Sequence, residues 1–426
     1  QRQMCIRDSL SIGMLWAADE PDLRMLQQKA AQSRDMEGYV GVCKYLYQTE
    51  ENPELLLLYA DSIHQLATKS KKPEQLVEYY IWASEGNFIK GDFQQGYALK
   101  RKAIALAEKA GLKFAISQSC CDMGYYCNVD ARYDSARYYF RKGLEAGEDL
   151  SEAGEACRTM LTNYASSFLF EGKTDSALVY TIRASERSAA DKDTAMLIEN
   201  LNQLGTIYRR KKNLENCIAN FEQALHLCEL RGNHNAVAFI YGNIATAYCD
   251  WNRPVDAIPF SEKAVEYALK TGNKRRIGTC YVNLGAIQIR LVQMRAEGIA
   301  TLLKAIPILE EVNDRRLLCD AYNYLVNAYR MDGNLNQAMY YLQKLDKLAH
   351  EMQTDAERFR YYQAKAGLLQ ESKNYTEAIV YYRRMIDMLR SGYKDTRDYE
   401  HYKRLADCYL AVNNSSQAYE LSLIHI

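Results

Sequence analysis

The chain has 426 residues, 48% of them hydrophobic, and its 54 Lys and Arg balance its 54 Asp and Glu. That neutrality removes the electrostatic footprint of a protein that grips DNA, RNA or an anionic membrane surface, so nucleic acid is not expected as a partner. Tyr outnumbers Phe 34 to 10, a bias suited to helix faces that are half buried and half wet, because the ring packs while the hydroxyl reaches water.

In chain order, residues 1–9 (QRQMCIRDS) match neither a leader nor the pattern that follows and read as a non-native scar, as do residues 421–426 (LSLIHI). Residues 10–18 read as the remnant of a secretory signal peptide, apolar and closing on Ala17 and Ala18 before an acidic start at Asp19 to Asp22. On that reading the protein is periplasmic or membrane-associated; the alternative is a short capping helix on a cytoplasmic chain. Residues 19–73 are expected to form an N-terminal helical cap. Within it Asn52 and Pro53 start a helix, and Leu55, Leu58, Ile63 and Leu66 are assigned to its broad apolar face.

From residue 74 to 420 one unit recurs. It is clearest at Leu201 to Ala224, where Leu201, Leu204, Gly205 and Tyr208 line one face of a helix. Asn213 ends that helix, and Cys217, Phe221 and Ala224 line a second. Gly205 and Cys217 are small where the two helices cross closely, and Tyr208 and Phe221 fill the wedge beside them. The first small position returns as Ser84, Gly124, Ala165, Gly205, Ala245, Gly285, Val326, Ala366 and Ala406, in steps of 40 or 41 residues. The second returns as Gly96, Ala136, Ala177, Cys217, Ala257, Gly298, Ala338, Ala378 and Ala418, the last of these in a truncated unit. Their separation is 12 in every unit except Gly285 to Gly298, where one extra residue near Gln293 lengthens the turn. A fixed period of this kind marks a repeat array rather than a string of globular domains.

The units resemble the tetratricopeptide repeat. Its first half is carried by LGTIY (Leu204 to Tyr208), IATAY (Ile244 to Tyr248) and LADCY (Leu405 to Tyr409), and its second by DSARYYFRKG (Asp134 to Gly143) and DAIPFSEKA (Asp256 to Ala264). Two departures are the missing helix-ending prolines and a period longer than the usual ~34 residues, which suits longer helices. The resemblance implies an all-α fold, a right-handed α-solenoid of tetratricopeptide-like hairpins, about nine units long. It is closest to bacterial exported or membrane-tethered regulators, which implies a C-terminal signalling output outside this sequence and a membrane tether through that part. The histidine-kinase or DNA-binding character of such an output is an extrapolation.

A solenoid of this family presents the first helix of each unit along a concave face, and a ladder of carboxamides falls there. Asn163, Asn243 and Asn283 each lie two residues before the first small position, and Gln203 fills that place in the unit between Asn163 and Asn243. Asn is a poor helix former, so four amides in line need a reason; an amide both donates and accepts, matching the alternating groups of an extended peptide. In the family, asparagines on this face hold peptides in chaperone-tail receptors and bacterial peptide sensors. By resemblance Asn163, Gln203, Asn243 and Asn283 would do so here, with Asn323 or Asn327 extending the row. The competing role for the amides is to bond neighbouring helices and set the superhelix. Arg209, Arg210, Arg290 and Arg330 follow the small position by four or five residues and would form a basic strip able to take a carboxylate, or else serve as last-turn cations favoured by the helix dipole.

Twelve cysteines are many for an exported protein, but several stand where the repeat wants a small apolar residue, and they read as inert core thiols. No CxxC pair and only six scattered His argue for a metal site, and no cofactor is expected. The sequence holds no GxGxxG, GxxxxGK, HExxH or GxSxG motif, so no enzyme is expected. The functional expectation is a protein- or peptide-binding module, the sensory or scaffolding part of a bacterial regulator, the alternative being a cytoplasmic scaffold or assembly protein without a sensory role.

Overall fold

The computed structural model describes residues 23–49, 52–352, 354–393 and 398–423. The stretches 1–9 and 10–18, read above as scar and leader remnant, lie outside the described residues, as does the closing 424–426. Among the described residues the fold is all-α, with 21 α-helices in tandem and no strand, and its class is the tetratricopeptide-like helical solenoid.

The chain divides into two compact units, 1–227 and 228–426. In the first, α1 (Leu23–Ser33), α2 (Met36–Thr49) and α3 (Pro53–Ser70) precede four hairpins. These are α4 (Pro73–Lys90) with α5 (Phe93–Ala110), α6 (Lys113–Val129) with α7 (Tyr133–Gly147), α8 (Gly154–Glu171) with α9 (Thr174–Ala190), and α10 (Thr194–Arg210) with α11 (Leu214–Leu230). The second unit holds five. They are α12 (His234–Asp250) with α13 (Pro254–Thr271), α14 (Lys274–Gln288) with α15 (Arg295–Glu311), α16 (Arg315–Met331) with α17 (Leu335–Leu348), α18 (Asp355–Glu371) with α19 (Tyr375–Arg390), and α20 (Asp398–Ala411) with α21 (Ser415–Leu423).

Polar side chains cut the chain into these lengths. Asn213, the residue that interrupts the apolar pattern, caps α11: its Oδ1 accepts the Asn216 N–H at 3.1 Å. Asn273 and Asp314 do the same for α14 and α16, accepting from Arg276 at 3.0 Å and Leu317 at 3.1 Å. Each such cap satisfies an amide that the first turn leaves without an intrahelical partner. α3 starts as its sequence indicates, with Asn52 accepting from the Leu55 N–H and Pro53 in the first turn. Its buried stripe is different from the one expected: Leu56, Ala60, Ile63 and Ala67 face inward, while Leu55 and Leu66 are only partly buried and Leu58 is 61% exposed. The two alanines explain the rotation, because small side chains let the neighbouring helices approach most closely along their own row.

Inside the hairpins the small positions are buried as the repeat requires, among them Ala165, Ala245, Val326 and Ala366 on first helices and Ala136, Cys217, Ala257 and Ala338 on second ones. Gly205 is covered by the Phe221 ring, so near that an added Cβ would lie 2.5 Å from it. In the second unit Leu302 covers Gly285 in the same way, at 2.7 Å. Stacked aromatics fill the wedge three residues further on: Phe168 on Tyr180 at 5.4 Å, Tyr248 on Phe260 at 5.3 Å and Tyr329 on Tyr341 at 5.7 Å. The extra residue near Gln293 is taken up by a 3₁₀ turn, Val292–Met294, ahead of α15. A charged knot interrupts the apolar core of the first unit. Lys100, fully buried, pairs with Glu85 and lies 2.9 Å from Asp122, and the Tyr126 hydroxyl donates to Glu85 at 2.6 Å.

Candidate functional site

In the second unit the first helices pack on one another in sequence, α12 on α14, α14 on α16 and α16 on α18. Their shared face, continued by α20, encloses a cavity of about 700 Å³. Its lining comes almost wholly from first helices and includes Asn283, Asn323, Asn327, Arg290 and Arg330, five of the ten residues that sequence reasoning singled out. Helical register aims them. Asn283 stands two residues before Gly285 and is exposed. Asn327 follows Val326, is half-buried, and donates from Nδ2 to the Asn323 carbonyl at 3.0 Å. Asn323 is 8% exposed. It lies three residues before its small position rather than two, which turns it by about 100° on a helix of 3.6 residues per turn; Tyr324 occupies the place that Asn283 holds in α14.

Charges along the cavity are partly paired. Arg330 forms an ion pair with Glu371, and its buried Nε has no hydrogen-bond partner. Its guanidinium lies across Gly367, where an added Cβ would be 3.6 Å away. Arg360 reaches Asp320 at 3.0 Å, with its own buried Nε likewise unpartnered, and Arg316 approaches the same carboxylate at 4.0 Å. Burial pushes the Asp320 carboxyl above its ordinary value, while Arg360 and Arg316 act in the opposite direction. Arg404 grips Glu400 through two nitrogens at 3.1 and 2.8 Å. The phenol of Tyr382, beside them, is pushed up to about 12 by burial, with Arg404 opposing. Arg290, exposed at the end of α14, meets the Cys249 thiol.

The remaining sequence candidates are outside this cavity. Asn163 is 5% exposed in α8, where its backbone carbonyl accepts from Asn128 Nδ2 at 2.9 Å. Gln203 spends its amide on neighbouring helices: Oε1 accepts from the Thr181 hydroxyl at 3.1 Å and Nε2 donates to Ser166 Oγ at 2.7 Å. Arg210 donates to the Leu169 carbonyl at 2.8 Å, across to the end of α8. Arg209 is partly buried on α10 and Asn243 partly buried on α12. Sequence reasoning missed Asp320, Arg360, Gln363 and Arg404. A signal was present. Asp320, Arg360 and Glu400 recur at 40-residue steps, six residues before Val326, Ala366 and Ala406, and Arg404 stands at the ladder position of its own unit.

Among the described residues no His, Cys, Asp and Glu cluster could hold a metal ion, and no helix is long and apolar enough to cross a membrane. What the fold and cavity define is a helical-hairpin repeat protein with a polar inner face. Residues 196–270 match the tetratricopeptide-repeat family model, so that stretch carries tetratricopeptide repeats. No curated protein matches it. Among solved structures it is similar to a signal-transduction ATPase with a tetratricopeptide-repeat sensor from Pyrococcus horikoshii, at 15% identity and TM-score 0.56 over 99% of this chain and 62% of that one. It is also similar to the apo quorum sensor NprR from B. thuringiensis, at 15% identity and TM-score 0.51 over 82% and 99% of the two chains. A third similarity is to aspartyl phosphate phosphatase F from Bacillus subtilis, at 16% identity and TM-score 0.50 over 82% and 94%. At these identities the likeness is one of fold.

Proposed function

We propose that this chain is a non-catalytic protein- or peptide-binding module whose second unit receives an extended polypeptide segment along its first helices, as the sensory or scaffolding part of a bacterial regulator. The observation that carries this reading is the cavity of about 700 Å³ lined by polar side chains from successive first helices, the amides of Asn283 and Asn327 among them. Carboxamides suit a peptide backbone because each can donate and accept at once. A quorum sensor and a signalling ATPase with a repeat sensor share the fold, which supports the sensory part of the proposal. Periplasmic or membrane-associated placement, with a tether outside this sequence, belongs to the same proposal and rests on residues 10–18. A cytoplasmic scaffold is the second reading, favoured by the eleven described cysteines, none of which forms a disulfide.

The groove is tested by selecting a random-peptide display library on the whole chain and then on an Asn283→Ala/Asn327→Ala variant. Loss of the selected peptides from the variant supports the reading, and equal recovery on both overturns it. Placement is tested by fusing the N-terminal residues to an export-dependent reporter. A silent reporter favours the scaffold.

A further inference from the structure

We infer that the segment held in this groove is acidic, and that Arg330 and Arg360 receive its carboxylates; this rests on the peptide-binding reading above. Four arginines line the cavity, Arg290, Arg330, Arg360 and Arg404, against two carboxylates, Asp320 and Glu400. The glutamate and aspartate already present leave specific donors over. Arg330 pairs with Glu371 and Arg360 with Asp320, yet the Nε of each is buried with no hydrogen-bond partner. Burying a donor without an acceptor is unfavourable and such groups are rare in folded proteins, so each orphan marks a guanidinium whose hydrogen-bonding capacity the protein does not fill. Both orphans belong to one cavity, on adjacent helices that pack together, α16 and α18. Arg290 adds an exposed guanidinium on the preceding helix.

The backbone beside Arg330 is shaped to the same end. Gly367 sits inside α18, where glycine is less favourable than alanine. The Arg330 guanidinium lies across it, with Cζ, Nε and Nη1 at 3.6, 3.6 and 3.7 Å from the place of an added Cβ. Any side chain longer than alanine would occupy the guanidinium's position. Arg330 is thus held flat against α18 in the lining of the cavity, and a guanidinium so fixed suits a carboxylate, which takes two parallel N–H donors. Arg360 and Arg404 are already paired with Asp320 and Glu400, and an acidic ligand joins those pairs.

The test uses three immobilised pools of random peptides of equal length on the whole chain. In one pool every ionisable position is Asp or Glu, in the second Asn or Gln, and in the third Lys or Arg; each is made with a free and with an amidated C-terminus. The acidic pool should be retained about tenfold more than the amide pool, the size of one charge-assisted contact, and the preference should fall with added salt. Arg360→Gln and Gly367→Leu should each abolish the preference; the second keeps every charge and introduces a better helix former, so its melting temperature separates displacement of Arg330 from unfolding. A preference that follows the free C-terminus assigns the carboxylate to the chain end, and one indifferent to amidation assigns it to side chains. Equal retention of the acidic and amide pools, both lost in Asn283→Ala/Asn327→Ala, overturns the acidic assignment and leaves the groove. Retention of every pool unchanged by that double variant overturns the groove reading and this inference together.

Discussion

Gly205→Ala places a methyl group 2.5 Å from the Phe221 ring, a separation that real Cβ atoms do not tolerate. Both residues lie on buried faces of one hairpin, and Phe221 has no solvent exposure. Overpacking of this kind costs about 1–3 kcal/mol, and the better helix propensity of alanine returns about 0.5–1 kcal/mol of it. The net loss is about 0–2.5 kcal/mol, a fall in melting temperature of up to about 10 °C for a unit of this size. Gly242→Ala is the control, since Gly242 is also inside a first helix but nothing lies within 4 Å of its added Cβ; it should stabilise by about 0.5–1 kcal/mol. The sign should also depend on the partner. Alanine already serves at Ala245, where the residue in the place of Phe221 is Ser261. In a Phe221→Ser background, therefore, Gly205→Ala should become neutral or stabilising. Denaturant unfolding of the four proteins in that cycle measures the coupling. Equal losses from Gly205→Ala in both backgrounds would refute the argument that ring and glycine are fitted to each other.

Three further outcomes follow from buried ionisable groups. Glu199, 7% exposed in α10, has its carboxyl pushed up to about 8 from 4.5, chiefly by burial and then by Asp193. The folded state therefore holds this proton more tightly than the unfolded one, and the contribution is full below pH 4.5 and lost as pH rises through 8. Glu199→Gln should match the parent near pH 5 and exceed it by a growing margin up to pH 9; thermal melts with a constant difference across that range would contradict the assignment. Lys100→Met leaves Glu85 and Asp122 without their buried cation and should cost about 3–5 kcal/mol, part of it recovered by adding Glu85→Gln, as read by denaturant midpoints. Burial pushes the thiols of Cys43, Cys120 and Cys228 up to about 12 and those of Cys280 and Cys408 to about 11. Because the thiolate is the reactive form, iodoacetamide at pH 8 should label the partly buried Cys249 first and these five only after unfolding, with peptide mass spectrometry as the readout; rapid native labelling of Cys43 would show the packing to be wrong there.

The hairpins were legible because their spacing is a packing rule. Gly205 facing Phe221 and Gly285 facing Leu302 are written as a small residue and a bulky one 16 residues apart, or 17 where the turn is one residue longer, and a 40-residue recurrence leaves little room for another fold. Side-chain rotation was less legible. Leu58 looked apolar and is exposed, since periodicity names a broad stripe while the close approach of helices is decided by Ala60 and Ala67 within it. The amide ladder shows the same limit. Gln203 and Asn283 hold equivalent places, yet Gln203 meets Ser166 and Thr181, two hydroxyls on adjacent helices, and is used up there. Whether an amide is spent on its neighbours depends on residues a full period or half a period away, which the local pattern does not contain.

The phase of the repeat changes after α14, and the second unit's groove changes with it. One added residue moves the next small position from a 40-residue step to 41, so a sequence column that stays at 40 drifts by one place and rotates by about 100°. Asn323, 40 residues after Asn283, therefore turns inward, and Tyr324 takes its former aspect. The column that regains the cavity is a charged one, Asp320, Arg360 and Glu400, set six residues before the small position and back in steps of 40. An amide surface thus gives way to an alternation of acid and base within two repeats, at the cost of a single 3₁₀ turn that leaves every hairpin core intact. Removing Gln293 from that turn shortens it but leaves Asp320 six and Asn323 three residues before Val326. If distance from the small position sets the groove's character, the deletion variant should keep both its helix content by circular dichroism and its preference for acidic peptides; loss of that preference with the helices intact would place its origin in the turn and not in the register of each helix.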